Sequence, residues 1–422
     1  MKDKINYSVY AITDRYWHKD RPIEEMIEDT IKGGATIIQL REKHISDDEF
    51  LALALKAKEA CNKYNIPLII NDNIEVMLKC NADGIHVGQS DLNAKKVREL
   101  IGPDKILGVS VGNVSEALVA INNGADYLGV GAIFPTNTKD DAILVSLDEL
   151  RNISLNVNVP VVAIGGIHLD TIKELRNTCI NGVAVISEIF SKDDIVEATS
   201  ILKNEVDKII FDINKYDLFL FDYDGTLLDS MNEWANMSSS FVKSHKIKTS
   251  DDLDSLVYNM NTLEAANYIH NTYGIGNDSN ECYHMIIDFI HRVYKDIKLK
   301  SGAKDVLDTL KKLNKKMIIL SQTELSLLKT STENNKITDY FDEIYSTETI
   351  NATKGDGSAF RKIKEMYPNN KILVVEDAYY AIKKAKEANL DVICIQDNSN
   401  LEDTNKIIKT TDYYGSLNWM VK

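Results

Sequence analysis

Short apolar runs alternate with amphipathic stretches along the first half of the chain. The apolar runs favour buried strands, and the segments between them, such as 47–64 and 115–123, repeat apolar residues at helical spacing. The runs lie at 7–13, 36–40, 68–71, 84–87, 106–111, 127–131, 160–164 and 182–186. Eight strand–helix units in succession predict an α/β fold, a parallel TIM (β/α)8 barrel with right-handed crossovers.

A second alternating pattern follows a charged helical stretch at 202–216. Its predicted strands lie at 218–221, 317–320, 372–375 and 391–395, and helical spacing without a strand fills 231–298 between the first two. We therefore predict a barrel at 1–203, a linker at 204–215 and a second α/β domain at 216–422, with an inserted helical cap at 231–298.

Composition and charge narrow the class of protein. With 44% hydrophobic and 27% charged residues, the 422-residue chain is expected to form buried cores. Its formal charge of −15 would repel nucleic acid and anionic membranes, so we expect neither as a partner, and an anionic ligand must meet local cations. Five scattered cysteines and the absence of an apolar leader or spanning segment predict a cytoplasmic enzyme. The oligomeric state stays open, a homo-oligomer included.

Polar and small residues follow the predicted strands of the barrel, where TIM barrels carry their chemistry. Carboxylates beside cations predict a Mg²⁺–pyrophosphate site, because Mg²⁺ prefers one or two carboxylates together with phosphate oxygens. Exposed backbone N–H groups after the last two strands predict a second phosphate site. In strand order the candidates are Gln39, Arg41, Lys43, Asn71, Asp72, Asp91, Ser110, Thr136, Thr138, Lys139, Gly166, Ile186 and Ser187.

The first half of the chain resembles the thiamine phosphate synthase family. The motifs that carry the resemblance include Gln39-Leu-Arg-Glu-Lys43, Gly84-Ile-His-Val-Gly-Gln-Ser-Asp91, Phe134-Pro-Thr-Asn-Thr-Lys139 and Gly165-Gly-Ile167. The family condenses hydroxymethylpyrimidine diphosphate with a thiazole phosphate, releasing pyrophosphate, and a carboxylated thiazole also loses its carboxylate.

The resemblance implies a role for each candidate of the barrel. Gln39, Arg41, Lys43, Asn71, Ser110 and Lys139 would hold the pyrimidine diphosphate, Asp72 and Asp91 its Mg²⁺, and Thr136, Thr138, Gly166, Ile186 and Ser187 the thiazole phosphate. The chain departs from the family pattern at Asn73, at Gly112-Asn113 and at Glu188. These departures are expected to weaken or retune substrate binding.

In the second half, an apolar strand ends in two aspartates one residue apart. Asp222 suits a nucleophile that splits phosphate ester cleavage into two easier steps, and Asp224 suits the acid and base of those steps. Ser321 follows a second strand with a hydroxyl for a phosphate oxygen, and Lys354 supplies a cation. Glu376 and Asp377 end a third strand with two carboxylates. The arrangement predicts a second Mg²⁺ site.

This order of motifs resembles the haloacid dehalogenase (HAD) superfamily over 216–422, with a helical cap like that of its C1-capped members. The resemblance implies a Rossmannoid α/β domain and an aspartyl-phosphate mechanism. Mg²⁺ would be held by Asp222, Asp377, the Asp224 backbone carbonyl and Glu376. The chain departs from the pattern at Ala378 and Asn389.

The favoured hypothesis is a bifunctional enzyme that makes thiamine phosphate in the barrel and dephosphorylates it in the second domain. Its partners would be small phosphates, with one Mg²⁺ in each domain. Three alternatives stay open. The phosphatase could act on another metabolite, the barrel could be a non-catalytic regulator of the phosphatase, or the second domain could be a sugar-phosphate mutase.

Overall fold

The structure, a computed structural model, describes residues 5–88, 93–136, 143–257, 260 and 262–421. The chain divides into two compact units, the first running to Asp212 and the second covering Ile213–Val421. Within the described residues, no helix is both long and apolar enough to cross a membrane.

The first unit is a closed parallel barrel of eight strands. Its strands are β1 (Val9–Ile12), β2 (Ile37–Leu40), β3 (Leu68–Asn71), β4 (Gly84–Val87), β5 (Ile106–Val111), β6 (Tyr127–Val130), β7 (Val161–Ile164) and β8 (Gly182–Val185). The helices are α1 (Ile23–Lys32), α2 (Asp47–Lys63), α3 (Ile74–Lys79), α4 (Ala94–Ile101), α5 (Val114–Asn122), α6 (Leu147–Asn156), α7 (Ser187–Phe190) and α8 (Ile195–Ile209). Every predicted strand overlaps one of these, so the predicted barrel is confirmed.

Local sequence signals explain where the helices begin. Ser46 accepts a hydrogen bond from the backbone N–H of Glu49, whose side chain bonds back to the Ser46 N–H, and this capping box starts α2. Asn73 and Asn113 cap α3 and α5 in the same position with their side-chain oxygens. Two of the departures from the family pattern are therefore helix caps.

Two cores fill the barrel unit. The larger lies between the strands and the surrounding helices. The smaller lies inside the barrel and includes three tyrosines, Tyr7, Tyr10 and Tyr127. A Cβ at Gly108 would lie 2.1 Å from Tyr127 Cζ, and one at Gly129 would lie 2.9 Å from His86 Cε1. Both glycines therefore leave the space that these rings occupy.

The second unit contains six strands, β9 (Leu218–Phe221), β10 (Lys316–Ser321), β11 (Glu343–Ser346), β12 (Ile372–Glu376), β13 (Asp391–Ile395) and β14 (Tyr413–Gly415). They form one parallel sheet in the order β11-β10-β9-β12-β13-β14. Helices α14 (Ala303–Lys312), α15 (Leu325–Asn334), α16 (Ser358–Met366), α17 (Tyr379–Glu387) and α18 (Thr404–Thr410) connect or flank these strands. This is the α/β fold that the sequence predicts.

The named secondary-structure elements among the described residues between β9 and α14 are all helices. They are α9 (Met231–Ala235), α10 (Met237–Ser244), α11 (Leu253–Val257), α12 (Thr262–Tyr273) and α13 (Ser279–Tyr294). The segment that the sequence predicts as a cap is therefore helical. Leu228 forms isolated β-bridges with Asp224 and Leu299, which join the two ends of this segment.

Candidate active sites

Three neighbouring strands of the second unit deliver the predicted phosphatase residues to one edge of the sheet. Asp222 directly follows β9, Ser321 ends β10 and Glu376 ends β12. Because β9 lies between β10 and β12 and all three are parallel, their carboxyl ends meet. The Asp222 backbone N–H donates to the Val375 carbonyl, at 2.8 Å, which fixes the register of the two carboxylate-bearing strands.

Lys354 reaches this edge from the segment before α16. The residue is buried, and its ammonium contacts Asp222 Oδ1 and lies 2.7 Å from Glu376 Oε2. Burial acts to lower the pKa of Lys354, but the carboxylates of Asp222 and Glu376 outweigh burial and raise it. The lysine is therefore a buried, permanently charged group between two carboxylates.

Three buried carboxylates, those of Asp222, Glu376 and Asp377, each place one oxygen within 4.8 Å of the others. Burial and the Glu376 charge raise the pKa of Asp222, while Lys354 acts to lower it. The same two causes raise the pKa of Asp377 to about 7. One ammonium leaves this cluster short of positive charge, and carboxylate oxygens are the ligands that Mg²⁺ prefers, so the cluster fits a divalent cation.

The turn after β9 is shaped around Asp377. Gly225 has φ +75°, and a Cβ there would lie 2.3 Å from Asp377 Oδ2. The buried Thr226 hydroxyl donates to Asp377 Oδ1 at 2.9 Å. The Gly-Thr pair of the motif thus serves two needs: close approach of the backbone and orientation of a carboxylate.

Asp224 lies among hydrogen-bond donors that the sequence did not predict. They are the Ser230 hydroxyl (2.7 Å to Oδ1), the Trp234 indole N–H (2.9 Å to Oδ1), the Thr323 hydroxyl (2.6 Å to Oδ2) and the Tyr294 hydroxyl (2.6 Å to each oxygen). Burial, followed by the Asp224 charge, raises the pKa of Tyr294, which therefore keeps its proton and donates. The Ser321 hydroxyl accepts from the Thr323 backbone N–H at 3.1 Å.

Two departures from the phosphatase pattern have local explanations. Asn389 follows α17 with φ +55°, a conformation that asparagine adopts more readily than most residues other than glycine. The Ala378 backbone N–H donates to Glu376 Oε1 at 3.2 Å, a contact that needs no side chain. Neither departure displaces a carboxylate of the cluster.

In the barrel, a chain of hydrogen bonds crosses the interior between two predicted substrate residues. Gln39 Nε2 donates to the Tyr10 hydroxyl at 2.9 Å, and the Tyr10 and Tyr127 hydroxyls are 2.7 Å apart. His86 Nδ1 lies 2.9 Å from the Tyr127 hydroxyl, and its Nε2 lies 2.9 Å from Ser110 Oγ. Burial raises the pKa of both tyrosines, so they are neutral hydroxyls. These hydrogen bonds link the side chains of Gln39 and Ser110 through the barrel interior.

Charged residues lie at the ends of β2 and β3. Arg41 is half-buried and its backbone N–H donates to Thr13 Oγ1, at 3.2 Å, while Lys43 is exposed. Asn71 Nδ2 donates to Asp72 Oδ2 at 2.6 Å, and Asp72 is exposed with φ +60°. The cations and the carboxylate therefore follow adjacent strands of the barrel.

Arg15, which follows β1, is a further cation that the sequence did not single out. It forms a two-pronged ion pair with Glu42, with N–O distances of 2.8 and 2.9 Å. The ion pair links the segments after β1 and β2. Arg41 and Lys43, on either side of Glu42, are not part of this ion pair.

The segments after β6 and β7 are joined through backbone hydrogen bonds. The Phe134 N–H donates to the Gly165 carbonyl at 3.0 Å. Gly166 has φ +62°, and a Cβ there would lie 2.5 Å from the Pro135 carbonyl oxygen. The second glycine is therefore needed for both its conformation and its contact with the preceding loop. Thr136 is half-buried at the end of the described part of this loop.

Other predicted barrel residues are placed as follows. Ile186 and Ser187 are half-buried, and Ser187 begins α7. Asp91, Thr138 and Lys139 lie outside the described residues. Gly112 donates its N–H to Glu116, at 2.8 Å, beside the Asn113 cap.

Glu188, the remaining departure, is 7% exposed, and its carboxylate lies 2.7 Å from His168 Nδ1. An alanine at this position could not make this contact, which links the segments after β7 and β8.

The fold and sites together define a class: an α/β barrel with cations after β2, followed by an α/β domain with a buried cluster of carboxylates and one lysine at the edge of its sheet. Residues 9–189 match the family model for thiamine monophosphate synthase, and residues 219–395 match that for haloacid dehalogenase-like hydrolases. The chain belongs to the thiamine-phosphate synthase family through its first unit. Its second unit is similar to the haloacid dehalogenase-like hydrolases.

Individual relatives agree with the first of these matches. A thiamine-phosphate synthase of Clostridium beijerinckii is 52% identical over 209 residues, which are 50% of this chain and 100% of that protein. One of Alkaliphilus oremlandii is 52% identical over 202 residues, 48% of this chain and 97% of that protein. Both curated relatives therefore correspond to the first unit alone.

Solved structures resemble each half. A thiamine phosphate pyrophosphorylase from Pyrococcus furiosus has 36% identity and a TM-score of 0.45, covering 49% of this chain and 98% of that one. A HAD hydrolase of family IA from Entamoeba histolytica has 20% identity and a TM-score of 0.39, covering 47% of this chain and 92% of that one.

Proposed function

We propose that this chain is a bifunctional enzyme of thiamine biosynthesis. The first unit condenses hydroxymethylpyrimidine diphosphate with thiazole phosphate, and the second hydrolyses the resulting thiamine phosphate to thiamine and phosphate. The synthase assignment is supported by 52% identity over the full length of a curated relative. The phosphatase assignment rests on one observation above all: the buried cluster in which Lys354 contacts Asp222 and Glu376 beside Asp377.

In the synthase reaction, the bond between the pyrimidine methylene carbon and the diphosphate oxygen breaks, and the thiazole nitrogen then bonds to that carbon. Arg41 and Lys43 neutralise the departing pyrophosphate where its charge develops. Asn71 orients the diphosphate, and Gln39 and Ser110, tied together through the barrel interior, fix the pyrimidine side. Asp72 and Asp91 would hold a Mg²⁺, which supplies further charge neutralisation to the diphosphate.

The other end of the barrel mouth binds the second substrate. Thr136, Thr138, Gly166, Ile186 and Ser187 hold the thiazole phosphate, and Lys139 contributes a cation to the diphosphate. No protein nucleophile takes part, because the leaving group departs before the new bond forms. The work of this unit is to bind, orient and exclude water.

In the phosphatase reaction, an Asp222 oxygen attacks the phosphorus and the ester oxygen leaves with its electron pair and a proton from Asp224. Asp224 then takes a proton from water, which attacks the aspartyl phosphate and releases inorganic phosphate. Lys354 and Ser321 bind the phosphoryl oxygens and orient Asp222. Asp222, Asp377, Glu376 and the Asp224 backbone carbonyl would hold a Mg²⁺, which offsets the charge of the transferring phosphoryl group.

The experiment that tests this proposal starts from the complete chain with Mg²⁺, hydroxymethylpyrimidine diphosphate and thiazole phosphate. We expect thiamine from the parent and thiamine phosphate from Asp222→Asn, because the variant lacks the nucleophile. Thiamine phosphate from both proteins would retain the synthase and reject thiamine phosphate as the phosphatase substrate. A screen of phosphate esters would then search for the substrate, and isomeric product without free phosphate would indicate a mutase.

A barrel without catalysis makes a different prediction. It would bind thiazole phosphate and alter phosphatase activity, yet yield neither product from the two substrates. Asp72→Asn separates these cases, since the variant should abolish pyrophosphate release by a synthase and leave hydrolysis of added thiamine phosphate intact.

A further inference from the structure

The proposed acid–base residue of the phosphatase is held by two aromatic side chains of the cap. The Tyr294 hydroxyl lies 2.6 Å from both oxygens of Asp224, and the Trp234 indole N–H lies 2.9 Å from Oδ1. The two rings also pack together, with centroids 6.0 Å apart. Asp224 itself follows a strand of the core sheet, so these bonds cross from cap to core.

The position of Tyr294 depends on the packing of a whole helix. Tyr294 is the last residue of α13 and is 1% exposed. It lies on the buried face of the helix, whose other buried members are Cys282, Ile286 and Ile290. A shift of α13 would therefore carry the hydroxyl away from Asp224.

Thr323 provides the corresponding contact from the core. Its hydroxyl donates to Asp224 Oδ2, at 2.6 Å, from the segment after β10. Thr323 lies between β10 and α15, outside the helices that carry Trp234 and Tyr294. Asp224 is consequently fixed on one side by the core and on the other by Tyr294 and Trp234.

We propose that Tyr294, supported by Trp234, is a positioning residue that orients the Asp224 carboxylate for proton transfer and so couples the seating of the cap to the acid–base steps. The inference rests on the proposed phosphatase activity of the second unit. In the first step a proton passes from Asp224 to the ester oxygen as the phosphorus–oxygen bond breaks, while Tyr294 keeps its own proton throughout.

Leaving-group dependence distinguishes positioning from simple packing. An alkoxide needs a proton as it leaves, whereas 4-nitrophenolate is stable without one. A misaligned Asp224 should therefore penalise an alkyl phosphate far more than 4-nitrophenyl phosphate. A loosened core would slow both reactions alike.

The first measurement compares kcat/KM for phenethyl phosphate and 4-nitrophenyl phosphate in the complete chain and in Tyr294→Phe. We expect about a 100-fold loss for the alkyl ester and less than about a threefold loss for the aryl ester. Hydrolysis of the aspartyl phosphate also needs Asp224 and should be slow in Tyr294→Phe. This variant should therefore release a burst of 4-nitrophenolate equal in molar amount to the enzyme. Tyr283→Phe, the same change on the same helix, should leave both values unaltered.

Equal losses for the two esters, or no loss at all, would overturn the proposal. Synthase turnover of the same polypeptide serves as an internal control for protein concentration and for the integrity of the first unit. If the parent hydrolyses neither ester and does not hydrolyse thiamine phosphate, the proposed phosphatase activity itself fails, and the second measurement alone tests the contact between Tyr294 and Asp224.

That second measurement needs no turnover. The chain contains three tryptophans, so an amide spectrum of the ¹⁵N-labelled protein has three indole signals, and loss of one in Trp234→Phe assigns it. We expect this signal to move in Tyr294→Phe and in Asp224→Asn, and to stay in place in Tyr283→Phe. An unmoved signal in Tyr294→Phe would refute the coupling regardless of activity.

Discussion

Lys354→Met is the substitution that should reveal most about the carboxylate cluster of the second unit. It removes the only ammonium that the structure shows in contact with Asp222 and Glu376 among the described residues, and replaces it with an apolar chain of similar length. The lysine side chain is 3% exposed and its partners are 9% and 2% exposed, so water cannot take its place. The variant leaves buried carboxylates without their counter-ion.

The expected magnitude follows from that burial. Removing one partner of a buried ion pair costs about 3–5 kcal/mol, and a unit of about 200 residues loses about 2–4 °C in unfolding temperature for each kcal/mol. We therefore expect the second unit to unfold about 6–20 °C lower in the absence of metal. Lys384→Met is the matched control, because Lys384 pairs with Glu387 at 2.8 Å but is 30% exposed. That surface pair should contribute about 0–1 kcal/mol.

The pH dependence of the deficit has a definite sign. Without Lys354, which acts to lower the pKa of Asp222, the pKa of that buried carboxyl rises further. A carboxyl whose pKa is higher in the folded than in the unfolded protein stabilises the fold at low pH and loses that effect as pH rises through the folded pKa. The variant should therefore be closest to the parent in acid and weakest in alkali.

Differential scanning calorimetry of the complete chain with a chelator provides the assay. The barrel transition should stay in place and the transition of the second unit should fall. A fall no larger than that of Lys384→Met would refute the reasoning, as would a deficit that shrinks toward alkaline pH. Synthase activity should survive in the variant while phosphatase activity is lost.

Three further predictions use other parts of the chain. Gly166→Ala should lower synthase turnover at least tenfold, because the Cβ would meet a carbonyl 2.5 Å away; Gly102→Ala, also at positive φ but with nothing within 4 Å, should leave turnover unchanged. Tyr127→Phe should destabilise the barrel by about 1–3 kcal/mol in chemical denaturation, since it breaks two buried hydrogen bonds, whereas Tyr7→Phe should cost less. Mg²⁺ at about 100 times its Kd should stabilise the second unit by about 2.7 kcal/mol in calorimetry, and Asp377→Asn should remove most of that gain.

The hydrophobic pattern predicts most of the fold because most strands are buried on both faces. It misses β11 (Glu343–Ser346) and β14 (Tyr413–Gly415) at the two edges of the sheet. β11 is exposed at its first residue and fully buried only at its last, so it lacks a continuous apolar run. β14 has three residues, two of them tyrosines, and is too short to produce a periodic signal.

The site residues also differ in whether neighbouring residues in the sequence can identify them. Asp222 and Asp224 stand in a motif after a strand, and sequence alone can identify them. Tyr294 and Thr323 reach Asp224 from 70 and 99 residues away, so no local spacing reveals them. A weak signal did exist for the barrel interior: His86 is a polar residue inside an otherwise apolar strand.

The glycines inside the barrel have a consequence for how this sequence can change over generations. Gly108 and Gly129 are not demanded by backbone conformation, yet any side chain there would occupy the space of Tyr127 or His86. A mutation at either glycine is therefore harmful only while the large rings are present, and a smaller ring partner would make it tolerable. Across related barrels these four positions should covary, with small residues at one pair accompanying large rings at the other.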